Sequence, residues 1–204
     1  MLLPDPLFPD PLFLAMAGTA VASPGPGVVL TLSNALRYGY WTALAGILGI
    51  TTAGVVIAAI SATGLGLLLA TTPAAFNAIK YGGALYLCWL AWKLWRAPPP
   101  KHRDAKEESL GERYREALVM QFGNPQALIF FIALFPQFLQ GVDAPVATFA
   151  VLVASYGLLV IVIHSGYALA ARQAQRHIEG EHARWVNRVA AACFVGFAVA
   201  TVLR

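Results

Sequence analysis

The sequence predicts an all-α polytopic membrane protein. It reads as one transmembrane domain over 1–204 with six transmembrane helices, arranged as two inverted three-helix halves in which helices 1 and 4 are broken or kinked. Three observations carry this. The 204 residues are 58% hydrophobic and only 12% charged, about half the charged share of a soluble domain. The charges are segregated: no Asp, Glu, Lys or Arg falls between Asp10 and Arg37, Arg37 and Lys80, Glu116 and Asp143, Asp143 and Arg172, or Arg188 and Arg204. A run of roughly 20 apolar residues crosses a bilayer core as a helix. Finally, the opening span of each half carries proline, Pro24 and Pro26 in "SPGPG" and Pro125 in "FGNPQ".

The first span covers about 11–35. Asp10 followed by Pro11 has the order of an N-cap and first helical residue. Ahead of it the stretch "PDPLF" occurs twice in tandem, without the basic region of a signal peptide. The second span, about 42–70, sets Ala45, Gly49 and Ala53 at four-residue spacing with Gly46 and Gly54 beside them. Such a small-residue face lets helices approach closely. The third, about 79–96, has Lys80, Lys93 and Arg96 placed to snorkel at its ends, and Trp89, Trp92 and Trp95 fit an interfacial aromatic belt. The loop over 97–116 reads as a solvated connector, with capping-box spacing at Asp104 and Glu107 for a short amphipathic helix. Spans four to six cover about 117–139, 145–171 and 186–203, with Arg188 snorkelling from the last.

Six spans make the connections alternate sides. One side receives Arg37, the cations from Lys93 to Arg115, and Arg172, Arg176, Arg184 and Arg188; the other receives only Lys80 and Arg204. The positive-inside rule makes the first side cytoplasmic and places both termini outside. The net charge of +4 and pI near 9.3 therefore reflect membrane orientation, and nucleic-acid binding is not expected. Cys88 and Cys193 lie in apolar segments and read as small hydrophobes without a disulfide.

Proline inside a helix removes a hydrogen bond and strains the preceding turn, at about 3 kcal/mol or more. Matched breaks in two oppositely oriented halves are a sequence pointer to a transporter site. The main-chain groups they free must face protein or a wet cavity, where half-helix N-termini favour a carboxylate. The substrate-binding candidates are thus Pro24, Gly25, Pro26 and Gly27, with Asn124, Pro125 and Gln126 in the partner half. The alternative for the breaks is a kink that serves packing, and Asn124 serves equally to satisfy carbonyls freed by Pro125. Thr51 and Thr52 are further candidate ligands, although Thr hydroxyls commonly bond back to their own helix. His164 is the proton-coupling candidate, because it titrates near neutral pH and lies deep within a span; the alternative is a neutral ring bonded to a neighbour. Tyr156, Ser165 and Asn34 are weaker candidates.

The stretches "SPGPGVVLTLSNALRYGYWTALAGILGI", "IKYGGALYLCWLAWKLWRA", "FGNPQALIFFIALFPQFL" and "WVNRVAAACFVGFAV" carry a resemblance over nearly the whole chain from about residue 10. The sequence resembles the lysine exporter/homoserine–threonine resistance (LysE/RhtB) family of bacterial amino-acid exporters. The resemblance implies six helices, the bacterial cytoplasmic membrane, and proton-driven export of amino acids or related solutes. The chain departs from the family's pattern in three places. Gly27 follows Pro-Gly-Pro where Asn or Asp is frequent, Gln126 stands where Lys is usual, and span 2 offers only Thr51 and Thr52 where many members carry an acidic residue or His.

The expected partners are a small amino acid, more readily neutral than cationic because no carboxylate lies in the spans, together with protons and the lipid bilayer. A homo-oligomer is left open and no cofactor is implied. Export of an ion or metal is the alternative transport reading and calls for clusters of acidic, His or Cys ligands. An intramembrane enzyme needs a paired acid and base or an activated nucleophile, which the spans lack, so an enzyme is not expected. A structural or regulatory membrane subunit is the remaining alternative.

Overall fold

The computed structural model describes residues 9–62, 72–97, 109–139, 144–175 and 181–203, which form eight α-helices and no strand. They are α1 (Pro11–Ala22), α2 (Pro26–Tyr38), α3 (Tyr40–Ala62), α4 (Pro73–Arg96), α5 (Leu110–Phe122), α6 (Pro125–Leu139), α7 (Pro145–Gln175) and α8 (Glu181–Leu203). The first copy of the tandem repeat lies outside the described residues. So do the end of the second span beyond residue 62, the Asp104 and Glu107 pair, and the side chain of Gln126.

Both expected breaks are present and sharp. Asp10 caps α1 through Oδ1, which accepts the Leu12 N–H at 2.7 Å, and Pro11 occupies the first turn. The chain leaves the helix at Ser23 in an extended conformation, passes Pro24 and Gly25, and restarts at Pro26; the two pieces are bent by 58°. In the second half, Leu110–Phe122 and Ala127–Leu139 are bent by 61° around Gly123, Asn124 and Pro125. Proline is accommodated at both restarts because the first helical residue needs no N–H.

α3, Pro145–Ala174 of α7 and Arg184–Leu203 of α8 are each long and apolar enough to cross a membrane, and the two bent pairs raise the number to five. α4 has 24 residues, a length of roughly 36 Å at 1.5 Å per residue. Lys80, Lys93 and Arg96 sit towards its two ends, and it is not among the helices that are both long and apolar enough to cross. Trp89, Trp92 and Trp95 are exposed along it, with the Lys93 ammonium over Trp89, the Arg96 guanidinium over Trp92 and that of Arg188 over Trp95. Aromatic rings stacked with cations match the interfacial belt.

Some contacts between helices have a counterpart when α1–α4 are exchanged with α5–α8. α1 and α2 lie on α7, as α5 and α6 lie on α3; α3 also meets α7, and α4 meets α8. α2 runs through the middle and touches α3, α5, α7 and α8. Phe13, Ile47, Leu90, Phe131 and Phe194 are among the largest fully buried side chains. Two contacts require glycine. A Cβ on Gly49 would overlap the Tyr114 carbonyl, and one on Gly83 would overlap the Gly123 carbonyl, where α4 crosses the second break. The small face expected on span 2 is therefore the seat of α5.

The fourth span begins earlier than expected. Ser109 caps α5, its Oγ accepting the Glu112 N–H at 3.3 Å, so 110–116 is helix and not solvated connector. Arg113 and Glu116 are buried, and a carboxylate does lie inside a span, contrary to the expectation. Hydropathy placed the span at its first uncharged residue. The charges nevertheless enter the helix because they pair: Arg113 binds both Glu112 and Glu116, and Lys93 reaches each of them at 3.1 Å.

Candidate functional site: a cavity between the two breaks

The first break is held open by α7. Tyr167 donates its hydroxyl proton to the carbonyl of Ala22, the last residue of α1, at 2.7 Å. One turn earlier, Nδ1 of His164 lies 2.8 Å from Thr31 Oγ1 on α2, and the ring also hydrogen-bonds the Val21 main chain. Residues three apart share a helix face, so one face of α7 grips both sides of the break. The Ser23 N–H returns to the Thr19 and Ala20 carbonyls, and its hydroxyl donates to Thr19 at 2.7 Å.

The first turn of α2 behaves differently. Gly25 provides no side-chain cap and Pro26 no N–H. The amides of the first helical turn have no partner within the helix, and here Gly25, Pro26, Gly27 and Val28 line a cavity of about 120 Å³. One water needs roughly 10–15 Å³, so the cavity has room for a small polar solute. Gln121 and Asn124 border it from the second break, and Tyr156 and His164 from α7. A larger cavity of about 430 Å³ lies beside it, bordered by Pro24, Pro26, Lys80, Asn124, Pro125 and Thr201. Pro24, Pro26 and Asn124 are common to both cavities.

Of the residues expected from sequence, Pro24, Gly25, Pro26, Gly27, Asn124 and His164 come together at the first cavity, and Pro125 borders the second. Thr51 and Thr52 do not join them. Their hydroxyls donate to the Ile47 and Leu48 carbonyls of their own helix at 2.8 and 2.9 Å, and Thr52 is exposed. Ser165 instead accepts the Tyr40 hydroxyl at 3.4 Å, and Asn34 lies further along α2. Sequence reasoning missed Thr31, Gln121 and Tyr167. Gln121 carried a signal, since it is an isolated polar residue one turn ahead of Asn124; Thr31 and Tyr167 are defined only by their partners. Tyr156 packs edge-on against Phe131, with ring centroids 4.8 Å apart, which fixes its position in the wall. Among the described residues no group of three His, Cys, Asp or Glu stands close enough to hold a metal ion.

A polytopic helical bundle in which two proline-opened helix N-termini meet at a cavity with a few polar groups in an apolar wall has the construction of a membrane translocator. The chain belongs to the LysE family, matching the LysE type translocator over residues 19–204. It is 32% identical over 160 residues to the homoserine/homoserine lactone efflux protein of Salmonella typhimurium, covering 78% of each chain. It is 30% identical over 207 residues to the threonine efflux protein of Escherichia coli, covering 94% of this chain and 98% of that one. It is also 31% identical over 191 residues to an uncharacterized membrane protein of Vibrio cholerae, covering 91% of this chain and 93% of that one. No solved structure matches the chain.

Proposed function

We propose that this protein exports a small neutral amino acid, of the size and polarity of threonine or homoserine, across the cytoplasmic membrane in exchange for protons. The observation that carries the reading is the meeting of the two breaks at a cavity lined by Gly25, Gly27, Asn124 and His164. In this reading the open amides of α2 take the substrate carboxylate, since a helix N-terminus attracts negative charge. Asn124 and Gln121 hold the remaining polar groups; an amide side chain both donates and accepts. Among the described residues the cavity wall contains no carboxylate, which favours a zwitterion over a dibasic amino acid. The names of the efflux relatives support the same solute class.

His164 is the imidazole in this wall and the proton-carrying group of this reading. Its partner Thr31 donates to a neutral ring and must turn to accept from a protonated one. Proton uptake at His164 therefore rearranges the contact between α7 and α2 beside the substrate amides. The halves then rock about the breaks to expose the cavity to each side in turn, with the basic end of the bundle facing the cytoplasm.

The test is counterflow into proteoliposomes with labelled threonine, homoserine, homoserine lactone and lysine, with and without an imposed pH gradient. Counterflow of threonine or homoserine, enhanced by the gradient and with little lysine movement, is the expected result. No counterflow with any of the four, from protein shown to be inserted, would overturn the reading.

A further inference from the structure

At the far end of α2 from the Pro–Gly break, four helices close on a polar cluster. Within it, Glu112 and Glu116 are taken up by Lys93 and Arg113. Arg37 stands outside that pairing. It is only 8% exposed, and no carboxylate among the described residues forms an ion pair with it. One guanidinium nitrogen donates to Asn187 Oδ1 at 2.8 Å, a neutral acceptor whose own amide is tied to the Ala97 carbonyl at 3.1 Å. Among the described residues, Arg37 Nε has no partner. Asn34, one turn earlier on the same helix, is 2% exposed, and its Nδ2 also has no partner among the described residues. Both residues border one cavity of about 50 Å³.

Buried donors are almost always matched, and a buried cation without a counter-charge is costly. The C-terminal dipole of α2 offsets part of the Arg37 charge but leaves Nε and the Asn34 amide unmatched. Glu116 also borders this cavity, but Lys93 and Arg113 pair with it, so the unmatched groups there are donors. These suit an anion, and a guanidinium matches a carboxylate in particular. A cavity of this size takes a carboxylate head and little more.

We propose that Arg37 and Asn34 form a second station that binds the carboxylate of the exported amino acid at the basic end of the bundle. The proposal rests on the export reading and adds a step to it. Asn34 lies seven residues beyond Gly27, so the two stations are roughly 10 Å apart along α2. Thr31 stands between them on the same face.

Equilibrium dialysis of the purified full chain against labelled acetate, with and without unlabelled threonine, tests this. Wild type binds acetate, threonine displaces it, and R37Q lowers acetate affinity by roughly tenfold or more. Acetate binding unchanged in R37Q overturns the station. Acetate that threonine fails to displace reveals a free-anion site and overturns the assignment to substrate. N34D provides a second arm, because it places a fixed carboxylate beside Arg37. It is expected to abolish the part of acetate binding that R37Q weakens and to raise the unfolding temperature; retention of that part with a lowered unfolding temperature overturns the proposal. Counterflow by the wild type judges the export reading separately, so the two can fail independently.

Discussion

Thr31 Oγ1 lies 2.8 Å from His164 Nδ1, a buried hydrogen bond that joins α2 to α7 across 133 residues of chain. Thr31→Val removes the hydroxyl at nearly constant volume and leaves the buried ring nitrogen unmatched. The expected loss is about 1–3 kcal/mol of stability, read as a lowered unfolding temperature in detergent. Thr31→Ser keeps the partner and is expected to behave like wild type. Equal unfolding temperatures for the Val and Ser variants would show that the bond contributes nothing.

Replacing His164 by Gln preserves hydrogen-bonding capacity and removes the titration. The variant is expected to move solute down its concentration gradient while losing the stimulation by an imposed pH gradient. A response to the gradient equal to that of wild type would exclude His164 as the coupling group.

The Pro24→Ala, Pro26→Ala double variant removes both residues that enforce the first break. Alanine is the best helix former and proline about 3 kcal/mol worse, so the segment between α1 and α2 gains the option of running straight. Efflux is expected to fall to background while the protein still inserts, as measured by membrane fractionation alongside transport. Normal efflux from inserted double variant would separate the break from function.

Gly27 sits in the cavity wall, where a Cβ would stand 3.4 Å from the His164 ring and 3.5 Å from Ile50. Gly27→Ala is expected to fit with little change in transport. Gly27→Leu fills the cavity and is expected to abolish counterflow, with the chain still folded by size-exclusion chromatography. Full activity in the Leu variant would place the solute path elsewhere.

At Gly83 a Cβ would overlap the Gly123 main chain. Gly83→Val therefore forces α4 away from the second break, and overpacking of this kind costs about 1–3 kcal/mol or more. By contrast Gly82, with nothing near its absent side chain, should accept Ala. Comparing the unfolding temperatures of the two variants checks whether the close approach is real.

The membrane class, both helix breaks and the Asp10 start of α1 were legible in the sequence because each depends on local chemistry. Charge gaps set the spans, and proline sets where a helix must restart. The start of α5 was less legible. Ser109 and Glu112 have the capping-box spacing, yet the charged residues that follow masked a helix whose charges neutralise one another in three dimensions. The tryptophan belt and the small face of α3 were visible as spacing, although only the structure shows that α5 fills that face.

The sequence by itself determined that this chain is a bundle of membrane helices, where two of them break, and which polar residues lie near the breaks. Only the tertiary structure decided which of those residues meet. Thr51 and Thr52 look as suitable as Asn124 in one dimension, but their hydroxyls close on their own helix. Thr31 and Tyr167 look ordinary, yet Thr31 bonds His164 and Tyr167 bonds Ala22, so that α7 is tied to the helices on the two sides of the break. Proline and charge act through a residue's immediate neighbours along the chain, and so can be read from order alone. A cavity and an unmatched Arg37 arise from helices far apart in sequence, and exist only once those helices have packed.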